Sequence, residues 1–220
     1  MSEKSIETIQ IQQPPVLKGV AKVLSYIFHP LFFPTYIFVW MMFRFPYEFA
    51  GISKTELHLR TFGVFWLTAF FPAFSVFLLW RLKIIPNIFL RSQKERIIPY
   101  VITMFFYWWM WYLSRNFPDQ PLALRFFYLG IFLTTIPGLI LNNFVKISMH
   151  AMGVGGAITC IILTCCFYNT YLGLDIIVAM LLGGLILTSR LILSEHTNAE
   201  MYLGVIVSVL CQMLAYWITM

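Results

Sequence analysis

Long apolar runs interrupted by a few short polar segments organise this chain. A membrane-crossing helix needs about 20 mostly apolar residues. Candidate spans fall at roughly 24–43, 61–80, 97–114, 126–143, 150–168, 174–190 and 200–219. Pro30 and Pro34 lie in the first, which predicts a kink or break there. The third and fourth spans are short and read either as two crossings or as a tilted, partly re-entrant hairpin. The predicted fold is therefore all-α, a polytopic transmembrane bundle of six to seven helices. Residues 1–16 are polar, contain Pro14 and Pro15, and lack the basic start and apolar stretch of a signal peptide. They are expected to form a mobile tail, with residues 17–220 as one transmembrane domain.

Composition strengthens the membrane assignment. Hydrophobic residues make up 60% of the 220 and charged residues only 11%, against about 25% charged in soluble domains. Lipid accepts the apolar faces that water would not. The expected location is a membrane of the bacterial inner (cytoplasmic) type. The net charge of +6 fits loop lysines and arginines facing anionic lipid, and no nucleic-acid partner is expected. Cys160, Cys165, Cys166 and Cys211 sit in apolar runs without metal-ligand spacing and read as packing residues. Tyr107, Trp108, Trp109, Trp111 and Tyr112 read as interface anchors. Gly153, Gly155 and Gly156 predict close helix packing.

The polar residues are unevenly placed. After residue 125 the charged and imidazole groups are Lys146, His150, Asp175, Arg190, Glu195, His196 and Glu200. Six of these seven fall in two segments, 146–150 and 189–200, and a third polar cluster covers 91–99. Charges near a bilayer core cost a few kcal/mol each and tend to be kept for function. The three clusters lie between spans 2 and 3, 4 and 5, and 6 and 7. An even number of crossings separates each pair, so all three emerge on one face, whether or not spans 3 and 4 cross. His29 and His58 lie in no such cluster and read as structural.

These residues suit phosphoryl chemistry. His196 and Glu200 are four apart, so a helix would make them neighbours. A carboxylate on one ring nitrogen fixes the tautomer and makes the other nitrogen more basic, which suits a nucleophile. His150 is a candidate general acid for a leaving alkoxide. It lies near a helix start, where free amides and Ser148 favour an anion. Arg190, Arg96 and Lys94 supply cationic donors, and arginine's planar fork matches phosphate. No carboxylate cluster for magnesium, HExxH, zinc pattern, GxxxxGK[ST] loop or Gly-x-Ser-x-Gly elbow occurs. No metal or other cofactor is expected.

The same residues resemble the type 2 phosphatidic acid phosphatase superfamily, the lipid phosphate phosphatases related to vanadium haloperoxidases. Ser189-Arg190, five residues, His196, three residues, Glu200 keeps the spacing of that family's third motif, with Glu in place of Asp. Ile147-Ser148-Met149-His150 keeps the Ser and His of Pro-Ser-Gly-His. The Lys, six residues, Arg-Pro motif is degenerate: Arg96 precedes Pro99 by three, and Lys94 or Arg91 stands in for the lysine. The likeness covers roughly residues 91–204. It implies a metal-independent phosphatase of a lipid phosphate or prenyl diphosphate. By resemblance His196 attacks phosphorus, Glu200 orients it and His150 protonates the leaving group, while Arg96, Arg190 and Ser148 hold phosphate oxygens. Lys94, Arg91 and Lys146 complete the cationic set. Met149 stands where the family has Gly, which narrows the approach of backbone to phosphate.

Two other readings fit the same residues: a lipid phosphotransferase, and a non-catalytic protein that binds phospholipid head groups. The partners expected are a phosphorylated lipid and the surrounding lipids; nothing in the sequence sets an oligomeric state. With seven spans, ten of the 15 Lys and Arg share the motif face and five the other. That bias favours a cytoplasmic site. Five of the ten are candidate site residues, and the remaining five against five choose no side.

Overall fold

The computed structural model describes residues 13–88, 90 and 92–220. The polar tail expected to be mobile therefore lies, up to residue 12, outside the described residues. Helices account for the fold, and no strand occurs among the described residues. They are α1 (Pro15–Ile27), α2 (Phe33–Arg44), α3 (Lys54–Phe65), α4 (Phe71–Arg81), α5 (Gln93–Asn116), α6 (Leu122–Asn142), α7 (Met149–Tyr168), α8 (Gly173–Ile192) and α9 (Asn198–Thr219).

Several helix starts follow from sequence. Ser53, Ser92 and Thr197 each precede a Glu by three residues, and each hydroxyl accepts the backbone N–H of that Glu. Ser148 caps α7 in the same manner by accepting from Ala151 N. Prolines mark the first break as expected. His29 ends the α1 segment, a 3₁₀ turn covers Pro30–Phe32, and α2 resumes at Phe33. α3 and α4 continue one another through a π-helical turn at Trp66–Phe70. Pro99 and Pro137 sit inside α5 and α6 without ending them, a tolerance common in membrane helices.

Six segments are long and apolar enough to cross a membrane: Pro15–Arg44, Lys54–Arg81 and the helices α6 to α9. The seventh long helix, α5, has 24 residues, about 36 Å at 1.5 Å per residue. It packs against α6. Residues 97–114 thus lie in a long helix that packs against α6, but α5 is not among the six segments apolar enough to cross. The outside of the bundle is apolar. Leu174, Ile177 and Leu181 on α8 and Ile206, Leu210 and Trp217 on α9 are all exposed. In water that surface would be strongly unfavourable; in hydrocarbon it is matched. The chain is an integral membrane helical bundle.

The centre of the bundle is α6, α7 and α9. Gly155 allows a close approach of α7 to α9: a Cβ there would meet Ser208 Oγ and lie 3.0 Å from the Val205 carbonyl oxygen. Gly204 answers from α9, with the Ser148 carbonyl 2.9 Å from its would-be Cβ. Small residues at such crossings let backbones approach, as expected for membrane helices. Gly153 faces the Phe33 ring. Gly156 instead lines a cavity. Gly155→Ala is expected to destabilise the bundle by about 1–3 kcal/mol, the usual range for overpacking. A lower thermal midpoint in detergent would show it; an unchanged midpoint would mean that α9 yields freely.

Candidate active site at one end of the bundle

Long-range contacts assign the two ends. At one end Arg44 pairs with Asp175 at 2.7 Å, and Arg60 with Asp119 at 2.7 Å. At the other end the α4–α5, α6–α7 and α8–α9 connections meet. Arg96 N–H groups donate to the carbonyls of Leu90 (2.9 Å) and Ile147 (3.4 Å). Lys146 Nζ donates to the Glu195 carbonyl at 3.2 Å, and His196 reaches the Lys146 carbonyl at 3.1 Å. The three polar clusters therefore share one face and touch one another.

The turn that carries His196 is locally determined. Ser194 adopts a left-handed conformation (φ 54°), while Glu195 N donates to the Arg190 carbonyl, closing the end of α8. Thr197 then caps α9 in a reciprocal capping box with Glu200. His196 thus sits just ahead of the helix rather than on it, a correction to the helical pairing expected from spacing. Thr197 is the better N-cap, so the helix starts after it. The i,i+4 contact survives: His196 Nδ1 lies 3.0 Å from Glu200 Oε2. That same oxygen also accepts Thr197 N–H at 3.1 Å.

This geometry fixes the tautomer. Both neighbours of Nδ1, the Glu200 carboxylate and the Lys146 carbonyl, can only accept. The neutral ring therefore carries its proton on Nδ1 and presents a bare Nε2. Arg96, Arg190 and Lys146 all lie within electrostatic reach of the ring. The His196 pKa is lowered from the usual imidazole value, first by burial and then by those three cations, against the opposing hydrogen bond from Glu200.

Arg190 side-chain atoms are 13% exposed, and its NH2 stands 3.9 Å from Glu195 Oε2. Its Nε is buried with no hydrogen-bond partner among the described residues. Lys146 Nζ lies 4.0 Å from the same carboxylate oxygen. Glu195 thus bridges two of the expected phosphate-binding cations. No spacing rule in the sequence singles it out.

His150 interacts electrostatically with Arg190 and His196. Its Nε2 lies 3.1 Å from the Ser25 carbonyl of α1, so this nitrogen is a donor committed to α1. The His29 ring stands edge-on to it, with centroids 5.7 Å apart. His29 is therefore part of this constellation as well as the cap of the Pro30 turn, where its Nδ1 accepts from Leu31 N. Neither Ser25 nor His29 was legible as a neighbour, because 125 residues separate Ser25 from His150. His58 is exposed on α3, apart from the site.

Other candidates are placed differently. Ser148 is fully buried, and its hydroxyl serves as the α7 cap. Lys94 is exposed in the first turn of α5 and is not among the charges that His196 or His150 senses. Arg91 lies outside the described residues. No group of three or more His, Cys, Asp or Glu able to hold a metal ion occurs among the described residues. The described site is thus a membrane-end cluster of imidazoles and cations on a helical bundle. No family model, curated protein or solved structure matches the chain.

Proposed function

We infer that this protein is an integral-membrane phosphatase of a lipid phosphate or prenyl diphosphate, working through a phosphohistidine. The reading agrees with the motif likeness to the type 2 phosphatidic acid phosphatase superfamily. The observation that carries it is His196, whose Nδ1 is held by Glu200 and the Lys146 carbonyl while three cations lie within electrostatic reach of the ring. A nitrogen lone pair oriented beside a cationic pocket is what attack on a phosphate ester requires.

In this mechanism the Nε2 lone pair forms an N–P bond and the P–O bond to the lipid breaks. Arg190, Arg96 and Lys146 balance charge on the transferring oxygens. Glu200 stabilises the positive charge that develops on the ring. The leaving oxygen takes a proton from His150 in its imidazolium form, which must first release the Ser25 carbonyl and is left as neutral imidazole. Neutral His150 then takes a proton from water as its oxygen attacks phosphorus and the N–P bond breaks, giving inorganic phosphate, neutral His196 and the restored His150 imidazolium. The Ser25 contact also favours the rival reading, a lipid head-group binder in which His150 is only an α1 anchor.

The test is phosphate release from a radiolabelled lipid phosphate by purified protein with EDTA present. Release, with an acid-labile phosphoryl group trapped on His196, is expected. Lipid binding with neither release nor trapping would leave the binder. The acid limb of the rate profile should lie below the ordinary imidazole pKa of about 6.5, because His196 resists protonation. Activity is then retained as pH falls through that value and lost further down.

A further inference from the structure

A partly open cavity of about 280 Å³ lies beside this site, between the start of α2 and helices α4 to α7. Arg96, Tyr100, Thr103 and Tyr107 run down one wall. Their spacing places them on one face of α5, over about 16 Å of helix rise. The polar groups gather at the Arg96 end. Tyr100 is 4% exposed, and its hydroxyl is buried without a hydrogen-bond partner among the described residues. It lies within electrostatic reach of Arg96. Further along, Thr134 and Thr135 also line the cavity but donate their hydroxyls to their own helix, to the Gly130 and Phe132 carbonyls. Met152, Gly153 and Gly156 of α7 form part of the remaining wall.

Protein interiors hold few voids larger than a water molecule, and a buried unpaired hydroxyl is costly. An amphiphile fills both needs: hydrocarbon for the apolar length and an anion for the Arg96 end. We propose that this cavity is the chamber for the single hydrocarbon chain of an amphiphilic phosphate, whose head group sits between Arg96 and the Tyr100 hydroxyl. The assignment rests on the phosphatase reading only in making this amphiphile the molecule presented to His196. A volume of about 280 Å³ suits one slender chain, so a prenyl phosphate or a lysophospholipid phosphate fits and a two-chain phosphatidate does not.

The test uses the full-length protein in nanodiscs and a single-chain phosphate probe with a diazirine at the chain terminus. Adducts are expected on Tyr107 and within residues 131–135, lining the deep part of the cavity. Farnesyl phosphate or lysophosphatidate should compete at least roughly tenfold better than phosphatidate, a difference of about 1.4 kcal/mol. Whichever of the two competes better names the chain. Thr103→Trp and, independently, Val76→Trp, both at positions that line the cavity, should cut the labelling severalfold, whereas Phe105→Ala, exposed on the lipid face, should not. Adducts confined to exposed residues such as Phe105, or equal competition by phosphatidate, would overturn the chamber. Deep labelling by a protein that releases no phosphate keeps the chamber and removes the phosphatase. Phosphate release with labelling only at the lipid face does the reverse.

Discussion

Replacing His196 by alanine is expected to reduce phosphate release by ~10⁴-fold or more, the scale seen when a covalent nucleophile is lost. Its partner should behave more mildly and in two distinguishable ways. Glu200 Oε2 accepts both His196 Nδ1–H and Thr197 N–H. Glutamine at 200 can present an oxygen to both, so Glu200→Gln keeps the capping box and loses only the charge that stabilises the developing imidazolium. The Lys146 carbonyl, 3.1 Å from Nδ1, continues to hold the tautomer. Glu200→Gln should therefore lower kcat by about 10- to 100-fold with little change in thermal midpoint, a smaller loss than one in which the wrong tautomer takes over. Glu200→Ala also opens the cap, at about 1 kcal/mol of stability, and should lose more activity. Because the hydrogen bond from Glu200 opposes the lowering of the His196 pKa, both variants should move the acid limb to still lower pH. Equal activity of wild type and Glu200→Ala would show that the carboxylate is only a helix cap, and the nucleophile assignment would lose its support.

The bundle was legible because apolar runs of crossing length are hard to disguise in 220 residues. The crossing count was harder. α5 opens on Gln93, Lys94, Glu95 and Arg96 and is then crowded with Trp and Tyr, so its mean hydropathy falls although its helical character does not. Tyr107 illustrates a further limit. In sequence it belongs to an aromatic belt, yet it is buried in the cavity wall, while Trp108, Trp109 and Tyr112 pack against one another. Rotation about a helix decides which ring turns inward, and uniformly apolar neighbours give that rotation little pattern. Convergence of the three polar clusters followed from parity alone, which needs no exact boundaries. The starting point of α9 had a readable signal in Thr197-Asn198-Ala199-Glu200, a capping-box spacing that places His196 outside the helix. What lay beyond sequence was the return of α1. That helix packs along α8 and delivers the Ser25 carbonyl and His29 to His150, and no local pattern encodes a contact across 125 residues.

Arg190 should carry the second-largest effect. It is the cation sensed by His29, His150 and His196 alike, which puts it centrally among the imidazoles. Its neighbour Glu195 is too distant for a hydrogen bond at 3.9 Å, and its buried Nε has no partner among the described residues. A guanidinium with an unfilled buried donor is suited to an oxyanion that arrives with substrate. Arg190→Ala is expected to lower kcat/KM by about 10²- to 10³-fold, the cost of removing one donor from developing negative charge. Arg190→Lys keeps the charge but loses the planar fork, and should fall between wild type and alanine. Arg96 is a poorer probe of the same point, because its N–H groups also hold the Leu90 and Ile147 carbonyls, and removing them disturbs two connections at once. For Arg190 the separating measurement is phosphate affinity in the His196→Ala background. If Arg190→Ala weakens that affinity severalfold, the side chain contacts the anion directly. If affinity is unchanged and kcat/KM falls less than about tenfold, Arg190 merely pairs with Glu195 across the end of α8, and the cationic pocket must be assigned to Arg96 and Lys146 alone.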